Sequence, residues 1–370
     1  MRIVVLGGAG DMGSRAIEDL VEAEDVEHVT VADRDVDRAT ALAERLAGKG
    51  THIGVVGVDA EDHQALVEAL RGHDLALSSL GPFYRFEEAL VRSAIEAGVD
   101  YASICDEWEP TRAVLEHHHE AAKEAGVTVL IGLGASPGIT NVAVRYLADQ
   151  LDEVDRVEVA LYLPPDAGGG PAVTDHLVHV VTGEVSTRRD GQQVMIPAVA
   201  ESKVVEFPVF GRMRMWNMGH PEPETIPRVL PAIRSLDFRM GFGWLTWLLV
   251  FMSRWGLVRR GRATVAHRVL QWVEKRFRGS PSGGAVRVDA WGTKDGQPEQ
   301  VTLCGQGKMR DTTGLCLAVG GLMLARGQAR VEGGGVVTPE AALPPELFFE
   351  EMGRRGVVAY RDLALSQTLG

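Results

Sequence analysis

Short apolar runs alternate with amphipathic stretches through the first third of the chain. Arg-Ile-Val-Val-Leu (2–6) runs into Gly7-Gly8-Ala9-Gly10-Asp11-Met12-Gly13, after which Ile17, Leu20 and Val21 recur at helical spacing. Val29-Thr-Val-Ala ends at Asp33 and precedes a helical pattern carried by Ala39, Leu42 and Leu46. Further strands are predicted over 52–58, 75–79, 101–104 and 128–131. Short strands separated by helices imply right-handed crossovers and a parallel sheet covered on both faces, a doubly wound α/β domain of Rossmann type. After Leu151 the strands lengthen and alternate, as in 156–163 and 285–290, which predicts an antiparallel or mixed sheet. Gly-rich links at 168–170, 283–284 and 333–335 are candidate boundaries.

Gly8-x-Gly10-x-x-Gly13 lies between a strand and a helix, and Asp33 follows twenty residues after Gly13 at the end of the next strand. That context makes it a dinucleotide fingerprint. Gly8 is expected to form the tight turn, Gly10 to admit the pyrophosphate, and Gly13 to let helix pack on strand. Asp11 and Met12 complete the first helical turn, whose N–H groups and dipole would face the phosphates. Asp33 can bond the ribose hydroxyls of NAD, whereas Arg34 beside it could clamp the 2′-phosphate of NADP. The strand-end carboxylate favours NAD, with NADP the alternative. Asp59, ending the third strand, reaches either the adenine edge or only solvent. A short-chain dehydrogenase is excluded because none of the tyrosines has a lysine four residues on.

The chain's 370 residues predict two domains with a sizeable core. A net charge of −13 argues against nucleic-acid binding. The uncharged stretch 125–144 is broken by Gly132, Gly134, Pro137 and Gly138, so it reads as strand and loop rather than a membrane span. No signal peptide is readable, and Cys105, Cys304 and Cys316 lack paired spacing, so a reduced cytoplasmic protein is expected. His117, His118 and His119 point in three directions on a helix, and His176 with His179 lacks a third ligand, so no metal is expected.

Several segments resemble the saccharopine dehydrogenase (saccharopine reductase) superfamily. They are Ser79-Leu-Gly-Pro-Phe-Tyr-Arg85 with Gly98–Glu107, Gly132-Leu-Gly-Ala-Ser-Pro-Gly-Ile-Thr-Asn141, Gly219-His-Pro-Glu-Pro-Glu-Thr-Ile-Pro227, and Gly335–Glu340 running on to Val357. The Pro-Gly-x-x-Asn element and the chain length are most similar to the lysine 6-dehydrogenase-like and carboxynorspermidine synthase-like branches. The resemblance implies a nucleotide domain (1–132), a central α+β domain with a mixed sheet for substrate binding and dimerisation (133–335), and a C-terminal segment returning to the first domain (336–370). It implies a homodimer acting on an amino-acid or polyamine substrate. It also places the turn Ser79, Leu80, Gly81 and Pro82, with Tyr84 and Arg85, against the nicotinamide.

The family makes or breaks a C–N bond through an imine, and oxidation of an amine requires a base near the nitrogen. Cys105, Asp106 and Glu107 follow the fifth strand, at the rim where open parallel sheets bind ligands. Asp106 is the leading acid/base or amine-anchoring carboxylate, with Glu107 beside it; a loop-capping role is the alternative. His220 and Glu222 lie among Pro221, Pro223 and Pro227, which predicts a rigid loop rather than a helix, and His220 is the second acid/base candidate. A substrate carboxylate could meet Arg85, Arg212, Arg214 or Arg228, and Asn141 either caps a helix or bonds substrate. Residues 236–279 hold four tryptophans and nine Lys/Arg against two acids. That segment reads as a packed insertion at a dimer contact, as part of a substrate pocket, or as a membrane-surface contact. A nucleotide-binding sensor without turnover is the competing functional class.

Overall fold

The computed structural model describes residues 1–48, 50–165, 171–255 and 283–369. The chain opens with β1 (Arg2–Leu6), α1 (Asp11–Leu20), β2 (His28–Asp33), α2 (Val36–Leu46), β3 (His52–Gly57), α3 (His63–Leu70), β4 (Leu75–Ser78) and α4 (Phe83–Ala97). It continues through β5 (Asp100–Ser103), α5 (Trp108–His117), α6 (His119–Glu124), β6 (Thr128–Ile131) and α7 (Ile139–Ala148). Then come β7 (Glu153–Tyr162), α8 (Pro171–Val180), β8 (Glu184–Arg189), β9 (Gln192–Pro197), β10 (Ser202–Phe207), β11 (Gly211–Asn217) and α9 (Glu222–Val229). After β12 (Ser235–Gly241) and α10 (Trp244–Arg254) follow β13 (Gly284–Lys294), β14 (Gln297–Gly307), α11 (Met309–Ala325) and β15 (Gly335–Val337). The chain closes with α12 (Pro339–Ala342), α13 (Pro345–Arg354), β16 (Ala359–Tyr360) and β17 (Thr368–Leu369).

Two compact units result: Met1–Ile139 with Arg310–Arg355, and Thr140–Met309 with Gly356–Gly370. The first holds a seven-stranded parallel sheet in the order β15-β6-β5-β4-β1-β2-β3. Ile3, Val4, Val5 and Leu6 are all fully buried, as expected of a central strand with helices on both faces. The strand order reverses between β1 and β4, so the loops leaving these two strands flank the crevice where such sheets take ligands. Helix starts follow local chemistry: Asp35 accepts the Arg38 N–H and Asp62 the Ala65 N–H, capping α2 and α3.

The return to the first unit starts at Arg310, earlier than the expected 336, because α11 belongs there. Residues 312–324 of this helix are buried without exception, so it shows no polar face to mark it as a surface helix. Small residues admit it: a Cβ at Gly321 would lie 2.6 Å from Leu77 and one at Gly320 2.7 Å from Leu133. Ion pairs Arg15–Asp311 (3.0 Å) and Arg310–Glu18 (2.8 Å) tie its first turn to α1. Residues 356–370 then rejoin the second unit, where β16 pairs with β14 and with β17. Gly283–Gly284 leads into β13 and Gly333–Gly335 into β15, so neither link separates units; 168–170 lies outside the described residues.

The second unit holds a ten-stranded mixed sheet, β10-β11-β12-β7-β13-β14-β16-β17, with β8 on β12 and β9 on β8. The β7–β12 pair is parallel and β7–β13 antiparallel. A small cluster on this sheet gathers Tyr162, Phe207, Met215 and Ala285. In α10, Leu245, Leu249 and Met252 are buried while Trp244, Trp247 and Phe251 are exposed. The remainder of the Trp/Arg-rich segment, 256–279, lies outside the described residues. Among the described residues no helix is long and apolar enough to cross a membrane.

Candidate active site

The glycine loop leaves β1 through Gly7, whose φ of +72° makes it, rather than Gly8, the left-handed residue of the turn. Gly8 is instead a close-packing position, since a Cβ there would lie 3.0 Å from both Ile17 and Val31. The Gly7 and Gly8 N–H groups both donate to the Ala32 carbonyl, fixing the loop to β2. Ser14 donates to the Gly10 carbonyl at 2.9 Å, the first bond of the helix, so the N–H groups of Asp11, Met12 and Gly13 have no partner in earlier turns. A Cβ at Gly10 would meet only the Gly7 carbonyl, at 3.1 Å. The opening beside Gly10 and the exposed helix dipole suit a pyrophosphate.

Asp33 ends β2 with both carboxylate oxygens engaged: Oδ2 accepts the Ala9 N–H and Oδ1 the Asp35 N–H, each at 3.0 Å. The Arg38 guanidinium donates to the Ala9 carbonyl at 2.9 Å, and Arg34 is exposed. Asp59 is an exposed turn carboxylate accepting the Glu61 N–H. The Ser79 hydroxyl donates to the Gly7 carbonyl at 3.1 Å, and the Leu80 backbone lies against Gly7, so the loops after β1 and β4 brace each other. Gly81–Pro82 is a cis peptide, and Pro82 occupies the N-cap of α4. These residues fit a nicotinamide dinucleotide, which binds its phosphates at such a loop.

The loop leaving β5 carries half-buried Asp106 and buried Glu107. Glu107 Oε2 accepts the Tyr84 N–H at 2.5 Å, so this carboxylate caps the first turn of α4. Tyr84 itself is half exposed, and Arg85 turns outward to pair with Glu61, which leaves the Arg85 guanidinium engaged with a carboxylate of the protein. Beneath the loop is a residue the sequence did not mark. Glu87, fully buried in α4, accepts the Ser103 hydroxyl at 2.5 Å and the Tyr101 hydroxyl at 3.2 Å. Burial, and to a lesser degree the charges of Glu107 and Asp106, push its carboxyl up to about 7 against the pull of the two hydroxyls. Burial likewise pushes the Tyr101 hydroxyl and the Cys105 thiol well above their usual ranges. The three cysteines are buried free thiols.

In the second unit, 219–227 is partly helical, against the expectation of a loop. Pro221 caps α9 and Pro223 lies in its first turn, where a missing N–H costs nothing. Pro227 inside the helix cannot donate to the Pro223 carbonyl, and the Gln193 side chain donates there instead, at 2.9 Å. The helix start brings Glu222 onto His220: the imidazole Nδ1 bonds the carboxylate, and both side chains are essentially inaccessible, at 1% and 0%. The Phe238 ring lies flat on the imidazole, centroids 3.9 Å apart, and His176 meets it edge-on at 6.5 Å. The Thr140 hydroxyl donates to Glu222 at 2.9 Å. Asn141 donates to the Thr225 hydroxyl at 3.1 Å, so its side chain ties α7 to α9. Of the other basic candidates, Arg214 donates to Ser202 and Arg228 to the Glu224 carbonyl.

Residues 3–130 match the family model described as the saccharopine dehydrogenase NADP binding domain. The chain is 24% identical to carboxyaminopropylagmatine dehydrogenase of Synechocystis sp., over 96% of both chains. It is also 24% identical to carboxynorspermidine synthase of Vibrio alginolyticus, over 64% of this chain and 62% of that one. Apo saccharopine dehydrogenase (L-Glu forming) from Saccharomyces cerevisiae shares the fold at a TM-score of 0.70 and 14% identity, covering 96% of this chain and 98% of the other. The glycine loop, the two sheets and these likenesses agree: residues 3–130 match the saccharopine dehydrogenase NADP binding domain, and the chain shares the fold of saccharopine dehydrogenase.

Proposed function

We propose that this enzyme oxidises or forms the C–N bond of an amino-acid or polyamine-type amine, using NAD. The buried His220–Glu222 pair stacked on Phe238 carries the reading. A carboxylate on Nδ1 fixes the imidazole's orientation, which leaves Nε2 to exchange a proton. When bound, the nicotinamide accepts or returns the hydride. Asp106 acts as the base or ammonium anchor; His220 is the second acid/base candidate. Relatives named for a carboxyaminopropylagmatine and a carboxynorspermidine support an amine substrate. The Asp33 carboxylate repels a 2′-phosphate, and Arg34 and Arg38 are the groups that would receive one. A homodimer is part of the proposal, checked by light scattering.

Absorbance in the reduced-nicotinamide band tests it, with NAD and NADP offered separately against diamines, lysine, ornithine and carboxyalkyl amines. Cofactor reduction with an amine in the panel, abolished in Asp106→Asn while cofactor affinity persists, is expected. Cofactor binding without turnover across the panel would overturn the amine reading.

A further inference from the structure

Helix α10 turns its aromatic side outward. Leu245, Leu249, Val250 and Met252 are buried, whereas Trp244, Trp247 and Phe251 are half-exposed and Trp255, which closes the helix, is 73% exposed. At about 3.6 residues per turn these four rings and Arg254 share one arc of about 100°. Two bonds fix the rotation of the helix: the Ser253 hydroxyl donates to the Val181 carbonyl at 2.8 Å, and the Thr246 hydroxyl accepts the Phe242 N–H. Large rings side by side on one outward face form a contiguous apolar patch, which marks a contact surface in a way that singly exposed residues do not.

Charge decides what covers it. The Arg254 guanidinium lies over the Trp216 ring, 5.7 Å from its centroid, and Trp247 meets the same ring edge-on at 5.5 Å. Arg214 stands two residues before Trp216 on β11, so strand alternation places it on the same face. Both arginines are exposed, and among the described residues neither pairs with a carboxylate; Arg214 bonds the Ser202 hydroxyl instead. In sequence, 236–279 hold nine Lys/Arg against two acids, a local charge of +7 in a chain whose net charge is −13. A Debye length of about 8 Å at physiological salt lets that local charge act although the whole chain is negative. A second copy of the chain is a poor occupant, because a two-fold contact would lay the same cations upon themselves. Tryptophans beside arginines suit the headgroup level of a bilayer, where the ring is apolar and its N–H stays wet. With 11 residues α10 is too short to span a hydrocarbon core of about 30 Å, so it would lie in the interface.

We propose that α10 docks the protein on a membrane surface rich in anionic lipid. Trp244, Trp247, Phe251 and Trp255 enter the headgroup region, and Arg214 and Arg254 meet the lipid phosphates. This contact is independent of the amine chemistry.

The test is co-sedimentation of the full chain with vesicles of phosphatidylcholine alone or of phosphatidylcholine and phosphatidylglycerol in equal parts. Binding to the mixed vesicles is expected, weakened by salt and accompanied by a blue shift of tryptophan emission, and at least about tenfold tighter than to phosphatidylcholine alone. Phe251→Ala with Trp255→Ala removes two outward rings and weakens binding about tenfold or more. Arg214→Gln with Arg254→Gln removes two cations at about fivefold each. Urea midpoints and the thermal shift given by NAD should match the wild type in both variants, which separates a lost surface from a lost fold. Should the aromatic pair unfold the chain, the arginine pair decides. No binding to the mixed vesicles at low salt, equal binding to phosphatidylcholine alone, or wild-type binding by folded variants overturns the proposal. A dimer that light scattering shows to dissociate in the aromatic variant, without lipid, makes a second copy the occupant and overturns it as well.

Discussion

Two alanine substitutions in the glycine loop separate cofactor seating from folding. At Gly10 the backbone is extended (φ −72°, ψ 170°), and an added Cβ meets only the Gly7 carbonyl at 3.1 Å. Gly10→Ala should therefore change stability by no more than about 1 kcal/mol, with the entropy of the unfolded chain acting in its favour. The new methyl, however, occupies the surface a pyrophosphate must approach. Loss of one charge-assisted bond to the helix N-terminus, worth about 1.5–3 kcal/mol, weakens cofactor binding roughly ten- to hundredfold. At Gly13 the Cβ would lie 2.5 Å from the Gly7 carbonyl, 2.7 Å from the Ser79 hydroxyl and 2.9 Å from the Gly8 Cα. These are backbone and braced atoms, so Gly13→Ala should cost about 1–3 kcal/mol of stability from overpacking and weaken the cofactor as well. Urea unfolding gives the first quantity and titration of reduced-cofactor fluorescence the second. Wild-type affinity in Gly10→Ala would refute the assignment of this loop as the phosphate seat, whatever happens at Gly13.

Gln193→Ala removes the donor that stands in for the Pro227 N–H, leaving a buried carbonyl unpaired at a cost of about 1–3 kcal/mol. Lowered turnover together with a lower urea midpoint is the expected pair of readouts, and an unchanged midpoint would contradict the role. Beside the start of β2, His28 and His73 both bond the Thr30 hydroxyl, and burial lowers the proton affinity of each, with the charge of Arg2 adding to it. Their contribution to stability is present above the unfolded histidine value of about 6.5 and is lost as pH falls toward the folded values. Thermal midpoints from pH 7.5 to 5.5 should thus fall less in His73→Gln than in the wild type.

Much of the first unit was legible because local patterns carry it. A strand buried on both faces must be apolar throughout, as β1 is, and a phosphate loop must use glycine where a side chain would block it. The expectation failed where a distant residue intervened. The prolines of 219–227 argued against a helix, since nothing nearby reveals that Gln193 fills the vacant acceptor. The apolar run of α11 carries no polar face to place it, and only its glycines against Leu133 and Leu77 show where it packs.

Sequence alone determined the parallel sheet, the glycine loop at the end of its first strand and Asp33 at the end of the second, because each is written in neighbouring residues with a fixed period or spacing. Tertiary structure decided which carboxylates face water. Glu87 and Glu88 are adjacent, yet only Glu87 turns beneath β5 onto Ser103 and Tyr101, while Glu88 lies outward near His117 and His118. Burial is a property of what packs against a residue, and desolvation among like charges is what turns an ordinary glutamate into one that changes charge near neutrality.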